Sequence, residues 1–293
     1  MTQDARTPRY ALVTGGSSGI GLETARGLVS TFDVVGIVGR NLERLESGAQ
    51  EIGSAGARIE TFQADFSSLA DVSRLADEVG RRFESLSALV NNAGAWHTQR
   101  TLSKDGYEDT FAVNHLAHFL LTNRLKDLLL TGAPARVVNV SSSTHRNPKG
   151  MNWDDLMFER GWSGFKVYGH SKLANVLFSN ELARRWDGAG ITVNALHPGN
   201  VRSRITRHNA FLNALHRSPV ARLFILSEAD GALTSIHCAT SPALNDVSGR
   251  FFEKSKEVAP APAALDTGAA KRLWEISEQL VDAAQASSRV EPF

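Results

Sequence analysis

The sequence predicts an α/β fold: one doubly wound domain in which a mainly parallel sheet of seven strands carries helices on both faces. Three observations lead there. Short apolar runs rich in β-branched residues alternate with longer amphipathic stretches, the pattern of buried strands between covering helices. A glycine cluster follows the first such run directly and opens a helix, at the end of the sheet where this architecture places its ligand crevice. The 293 residues are 42% hydrophobic and 22% charged, an ordinary globular balance at a length that α/β folds reach as one unit. Residues 1–293 are therefore expected to form a single domain.

Taken in order, the first strand is the apolar run Tyr10–Thr14, followed by a helix over Gly19–Ser30. Val34–Val38 and Arg58–Gln63 read as the second and third strands, with helices over Leu42–Ile52 and Leu69–Phe83 after them. Ala88–Asn91 is the fourth strand, and one long helix is expected over Gly106–Leu130. Arg136–Val140 and Thr192–Leu196 are the fifth and sixth strands, each side of a helix over Val167–Trp186. A helix over Glu228–Thr240, a seventh strand over Gly249–Phe252 and a helix over Gly268–Ala284 complete the series. The Ala/Pro segment Ala259–Ala264 reads as a surface loop. Two stretches break the rhythm, residues 143–166 and 201–226. Long insertions at the carboxyl end of a sheet usually shape a substrate site.

Composition excludes several classes of function. With 32 basic and 31 acidic side chains the net charge is +1, so no global field favours nucleic acid or an anionic membrane. The one cysteine, Cys238, rules out an intramolecular disulfide and a cysteine metal cage, and reads as a small buried apolar residue. The opening MTQDARTPRY has no signal-peptide core, and no later run reaches the ~20 apolar residues of a span. A cytoplasmic protein with no nucleic-acid partner and no stable membrane insertion is expected. His115 and His118 stand three apart, but no carboxylate or cysteine cluster completes a ligand set, so no metal is expected.

The glycine cluster is Gly15-Gly16-Ser17-Ser18-Gly19-Ile20-Gly21. Gly15 permits a tight turn, Gly19 lets backbone amides approach a pyrophosphate, and Gly21 lets the helix pack closely on the sheet. The second strand ends in Gly39-Arg40-Asn41, so a guanidinium stands where NAD-preferring folds place a carboxylate for the ribose 2′-hydroxyl. A planar, permanently charged fork suits a 2′-phosphate, which predicts NADP(H), with help from the Ser18 hydroxyl or Asn41. The alternative is that Arg40 merely opens the next helix. Tyr168 and Lys172 lie four apart and share a helix face. An ammonium ~4 Å from the phenolate at an effective dielectric of ~20 is worth at most ~4 kcal/mol, or roughly three pKa units. On that reasoning the lysine brings the tyrosine near neutrality, where it serves as the proton-transfer group for hydride chemistry; spacing alone reads as a solvated helix face, and what favours the chemistry is that the pair opens a helix after an insertion at the crevice.

The spacing Gly-x3-Gly-x-Gly, the Asn91-Asn92-Ala93-Gly94 turn, Asn114, Ser142, Tyr168-x3-Lys172 and Pro198-Gly199 occur in this order over roughly residues 9–254. Together they resemble the short-chain dehydrogenase/reductase family. The stretches Asn114–Thr122, Val137–Ser142, Ser171–Asn175 and Arg272–Ser277 are similar to its retinol-dehydrogenase-like branch. Membrane-bound members of that branch carry an N-terminal apolar anchor, which this sequence lacks; that weighs against retinoid or lipid substrates. The resemblance implies a Rossmann fold, a nicotinamide cofactor and hydride transfer between a carbonyl and an alcohol. It gives Ser142 a hydrogen bond to the substrate oxygen, with Ser141 and Ser143 as alternatives one register away, and gives Asn114 a water linking Lys172 to solvent. It also implies that Asp65, beside Phe66, accepts from the adenine amino group, the other reading being a helix N-terminal acid. Asn92, Ala93 and Gly94 would line the adenine-ribose side; Pro198, Gly199 and Val201 would flank the nicotinamide, with His197 packed nearby. In carbonyl-reductase-like members an insertion like that before Tyr168 covers the face through which the family pairs, so a monomer is favoured over a homodimer.

The expected function is an NADP(H)-dependent oxidoreductase acting on a small carbonyl or alcohol substrate. Trp153, Trp162 and Phe165 in the first insertion, with Phe211, Leu212, Leu215 and Leu223 in the second, suggest an apolar or polycyclic ligand, unless they only cover the core. Reduction of an activated C=C bond is a neighbouring alternative, separated by product analysis. A non-catalytic NADP(H)-binding regulator is another, separated by turnover of any carbonyl.

Overall fold

The computed structural model describes residues 7–53, 56–201 and 226–288. Its sheet has the strands β1 (Tyr10–Thr14), β2 (Val34–Gly39), β3 (Arg58–Gln63), β4 (Ala88–Asn91), β5 (Ala135–Val140), β6 (Ile191–His197), β7 (Phe251–Glu253) and β8 (Lys256–Glu257). They lie in the order β3-β2-β1-β4-β5-β6-β7-β8. All neighbours are parallel except β7 and β8. β1 pairs with β2 on one side and β4 on the other, Ala11 opposite both Val35 and Ala88. The chain reverses its direction of winding at this point, so a crevice opens at the carboxyl ends of β1 and β4.

Two apolar layers follow from strands buried on both faces. On one face α1 (Gly19–Leu28), α2 (Leu42–Ile52) and α8 (Glu228–Thr240) cover the sheet through Leu22, Leu28, Leu45 and Cys238. On the other, α3 (Leu69–Arg82), α7 (Gly164–Arg185) and α9 (Thr267–Ser288) pack with the helical segment after β4. Within that segment α4 (Asp109–Phe111) leads into a π-helical turn, Ala112–Leu116, then α5 (Ala117–Arg124) and α6 (Lys126–Thr131). α9 lies across α5 and α7: the Trp274 ring meets Phe119 at 4.8 Å and Phe178 at 5.9 Å, and Arg185 sits 4.2 Å above it. Among the described residues no helix is long and apolar enough to cross a membrane.

Two expectations need correction. The sheet has eight strands rather than seven, because Lys254 (φ 51°) and Ser255 (φ 58°) reverse the chain and return β8 antiparallel to β7. Gly249 (φ 71°) lies outside that strand, which begins at Phe251. The single helix expected over Gly106–Leu130 is broken. Gly106 has φ 81°, incompatible with a helix, and Glu108 caps α4 by accepting from Phe111 N at 2.8 Å. The π turn then inserts a wider loop of backbone at Asn114, whose side chain bonds outside its own helix; such bulges often mark functional sites.

Candidate active site

β1 ends at Thr14, and the chain turns at Gly15 (φ 66°) before α1 opens at Gly19 (φ 61°), both in the left-handed region that side chains disfavour. Space is as restrictive as torsion. A Cβ on Gly21 would lie 2.2 Å from Gly15 O, and one on Gly15 would lie 3.0 Å from Ala93 Cα. Beyond Gly19 the nearest atom would be Glu228 Oε1 at 3.5 Å, so the cradle has a closed floor and an open side. Ser18 occupies the N-cap of α1 without a side-chain capping bond. A helix N-terminus reached through such a turn fits the pyrophosphate of a dinucleotide. Thr14 ties the loop to β4: its Oγ1 accepts from the N–H groups of Asn92 and Ala93 at 2.9 Å each, and Asn92 Nδ2 donates to Thr14 O at 2.8 Å. Asn92, Ala93 and Gly94 therefore stand beside the cradle.

A cleft of about 530 Å³ runs along the loop, lined by Ser17, Ser18, Gly19, Arg44, Ser47 and Glu228 among others. Arg40 is exposed at the end of β2. Asn41 caps α2, accepting from Arg44 N at 2.8 Å. Arg44, which sequence reasoning missed, lies exposed in the first turn of α2 and lines this cleft. Neither guanidinium forms an ion pair among the described residues, unlike Arg26, which pairs with Glu23 and Glu51. Asp65 accepts from Ser67 N at 3.1 Å and Oγ at 3.0 Å and pairs with Lys104 Nζ at 3.0 Å. Burial pushes its pKa up, but these bonds outweigh that and hold the carboxyl below its ordinary value. Phe66 turns inward against the His118 ring.

At the chemical end α7 presents Tyr168 and Lys172 one turn apart. Lys172 is buried, donates from Nζ to Val140 O at 3.0 Å, and lies 5.6 Å from the centroid of the Tyr168 ring. Ser141 is turned into the core, donating to Lys172 O at 2.8 Å, whereas the Ser142 side chain acts on the Tyr168 hydroxyl. Ser142 Oγ accepts from Thr144 N at 3.3 Å as the cap of a 3₁₀ turn, Ser143–Arg146. Burial pushes the Tyr168 hydroxyl up to about 12, against the opposing effect of Ser142, and pulls the Lys172 ammonium down to about 8. The expected lowering of the tyrosine is not produced by the protein's own groups. Desolvation disfavours both charged forms, and the lysine is tied to a main-chain carbonyl rather than to the phenol oxygen.

Asn114 links the two ends. Its Oδ1 accepts from Ala95 N at 2.7 Å, and its Nδ2 donates to Ala95 O at 3.0 Å and to Ser171 Oγ at 2.9 Å. Ser171 in turn donates to Tyr168 O at 2.8 Å. His115 faces away, with Nε2 2.7 Å from Ser277 Oγ on α9, while His118 faces Thr14; the pair shares no site, and no metal-holding group occurs among the described residues. His197 ends β6, buried, ahead of Pro198 and Gly199 (φ 88°). A Cβ on Gly231 of α8 would lie 2.4 Å from Val201 Cγ2 and 3.3 Å from Ile20 Cγ1, so this turn packs beside the glycine loop.

The aromatic residues of the first insertion separate. Trp153 lies under Arg272 of α9 and against the core, and Trp162 donates from Nε1 to buried Glu108 at 3.2 Å. Phe165, 60% exposed one turn before Tyr168, instead meets Trp96 with ring centroids 5.3 Å apart. Sequence reasoning missed Trp96; its place two residues after Gly94 at a strand's carboxyl end was the available signal. Phe211, Leu212, Leu215 and Leu223 lie outside the described residues.

Known proteins resemble this chain in sequence and in fold. The family model for short chain dehydrogenase matches residues 9–211. Retinol dehydrogenase 14 of Mus musculus is 40% identical over 288 residues, spanning 93% of this chain and 86% of the relative. Retinol dehydrogenase 12 of Homo sapiens is 40% identical over 277 residues with the same coverage. Among solved structures, an uncharacterized protein from Mycobacterium paratuberculosis has a TM-score of 0.74 at 30% identity, covering 94% of each chain. A complex of Pseudomonas aeruginosa RhlG with NADP has a TM-score of 0.69 at 31% identity, covering 83% of this chain and 93% of that one.

Proposed function

Because this chain belongs to the short chain dehydrogenase family, we propose that it is an NADP(H)-dependent oxidoreductase that reduces a ketone or aldehyde, or oxidises the matching alcohol, on an apolar small molecule. The observation that carries the reading is the Tyr168 hydroxyl, on which the Ser142 side chain acts and which lies one helical turn from buried Lys172, at the same end of the sheet as the glycine cradle. NADP(H), when bound, supplies or accepts the hydride. Tyr168 gives its proton to the oxygen as the carbonyl is reduced and takes it back in oxidation. A hydroxyl at about 12 is fully protonated at neutral pH, which suits the reductive direction. Ser142 donates to the same oxygen, and the Lys172 charge stabilises the phenolate left behind. Asn114 is the residue to which the family assigns the water that returns protons to Lys172.

Preference for NADP(H) is supported by exposed Arg40, which stands at the end of β2 where no carboxylate does, and by exposed Arg44 lining the cleft beside the glycine loop. An apolar substrate is supported by the Trp96–Phe165 pair ahead of Tyr168 and by relatives named for oxidising an apolar alcohol. The reading includes a monomer, since residues 143–166 pack on the first half of α7, where Phe158 meets His170, and α9 covers α5 and its second half; light scattering on the pure protein checks this. The deciding experiment follows NADPH absorbance over a panel of ketones and aldehydes. Turnover by the wild type that Tyr168→Phe loses is the expected result. NADPH binding without turnover of any carbonyl would overturn the assignment in favour of a regulator.

A further inference from the structure

We propose that His118 is a positioning residue: held in a single neutral tautomer, it ties the glycine loop at Thr14 to the helix turn that carries Asn114. Asn114 O can only accept, so His118 Nδ1, 3.1 Å away, carries the ring proton. The other nitrogen is then a bare acceptor, and the Thr14 hydroxyl, 3.0 Å from Nε2, donates to it. This decides the Thr14 proton: it goes to His118 and not to Val90 O at 3.4 Å. Both Thr14 lone pairs are left for the N–H groups of Asn92 and Ala93, each at 2.9 Å. Every polar atom at the junction is satisfied only in this arrangement.

The surroundings keep the ring neutral. It is 3% exposed, the Phe66 ring lies 5.2 Å away, and the charged group acting on it is Lys172. Burial pulls its pKa down to about 4, with Lys172 adding in the same direction and the Asn114 carbonyl opposing. A protonated ring would also aim an N–H at a hydroxyl whose lone pairs already receive two. The consequence is mechanical. Thr14 sets the Gly15 turn and the Asn92-Ala93 wall, while Asn114 sets Ala95 and, through Ser171, the turn bearing Tyr168. His118 joins these two assemblies across 104 residues of sequence.

The inference rests on the reading that this loop holds NADP(H), and its test uses cofactor binding alone, with no substrate. In His118→Asn the amide lies near the former Nδ1 and can keep the Asn114 bond but not the Thr14 bond. In His118→Gln the longer amide reaches the former Nε2 and can accept from Thr14. Fluorescence titration with NADPH is expected to give His118→Gln a Kd within about threefold of wild type and His118→Asn a Kd raised about fivefold or more, the loss of one buried hydrogen bond. Equal Kd values with a shared fall in Tm would show a merely structural histidine and overturn the proposal. Ring-nitrogen NMR of the wild type is the second arm: an Nδ1–H tautomer that does not titrate between about pH 5.5 and 8.5 is expected, and an Nε2–H tautomer overturns it even if neither variant folds. Failure of the wild type itself to bind NADPH would refute the cofactor reading, while the tautomer still decides the role of His118.

Discussion

At the β1 end of the crevice the site is built from main chain and its shape is set by the lack of side chains; at the β5 end it is built from side chains whose proton affinities burial has shifted. Gly15, Gly19 and Gly21 act through the volume they leave empty. Tyr168 and Lys172 act through where they hold protons, at about 12 and about 8. The first region is therefore sensitive to a methyl group and indifferent to pH, and the second is the reverse.

Tyr168→Phe tests that contrast most severely. It removes an oxygen and leaves the cradle, so turnover should fall ~10²–10⁴-fold while the NADPH Kd stays within about twofold. Parallel losses in rate and affinity would mean that the two regions are not separable. Gly21→Ala is the converse. Its Cβ would sit 2.2 Å from Gly15 O, so the turn must move, and the NADPH Kd should rise about tenfold or more in a titration at any pH from about 6 to 8. Arg40→Asp sharpens the comparison within the cofactor end. Wild type should favour NADPH over NADH at least ~10-fold in kcat/KM, one charge-assisted contact, and the variant should erase or reverse the ratio.

The smallest effect concerns stability. The buried Lys172 ammonium is disfavoured by desolvation, so Lys172→Met should lose activity yet melt at a temperature equal to the wild type or roughly 2–4 °C higher at pH 7. The folded-state pKa, about 8, lies below the ordinary value of 10.5. Between those values the unfolded wild type binds more protons than the folded one, so rising pH stabilises the wild type relative to the variant. The difference in Tm should therefore narrow from pH 8 towards 10; a gap that widens would mean that the lysine charge is stabilised where it sits.

Much of this was legible in the sequence where a feature depends on nearby residues. β1, β3, β4, α2 and α8 have the bounds that apolar runs and turn residues indicate. The glycine turn and the Tyr168–Lys172 spacing follow from local geometry in the same way. What was hidden depends on partners far along the chain. The π turn inside the expected long helix carries an Asn114 side chain that bonds Ala95 and Ser171, 19 and 57 residues away, and hydrophobic periodicity runs on unchanged through it. β8 exists because two non-glycine residues, Lys254 and Ser255, adopt left-handed torsions that composition does not announce. The direction of the Tyr168 shift was read the wrong way from spacing, since spacing carries the Coulomb attraction of Lys172 and not the depth at which both residues lie.

The helix α9 supplies none of the candidate catalytic or cofactor residues, yet it is laid over the apolar face of the helices that do. It is also the last described part to leave the ribosome, so until Thr267–Ser288 emerges, Phe119, Phe178 and the His115 ring lack the partners that Trp274 and Ser277 give them. A chain terminated just before Thr267 would encode all eight strands and the whole candidate site, and still present the cell with a sticky surface of the kind that chaperones and proteases recognise. Loss of this helix would thus show itself in protein abundance before it showed itself in kinetics.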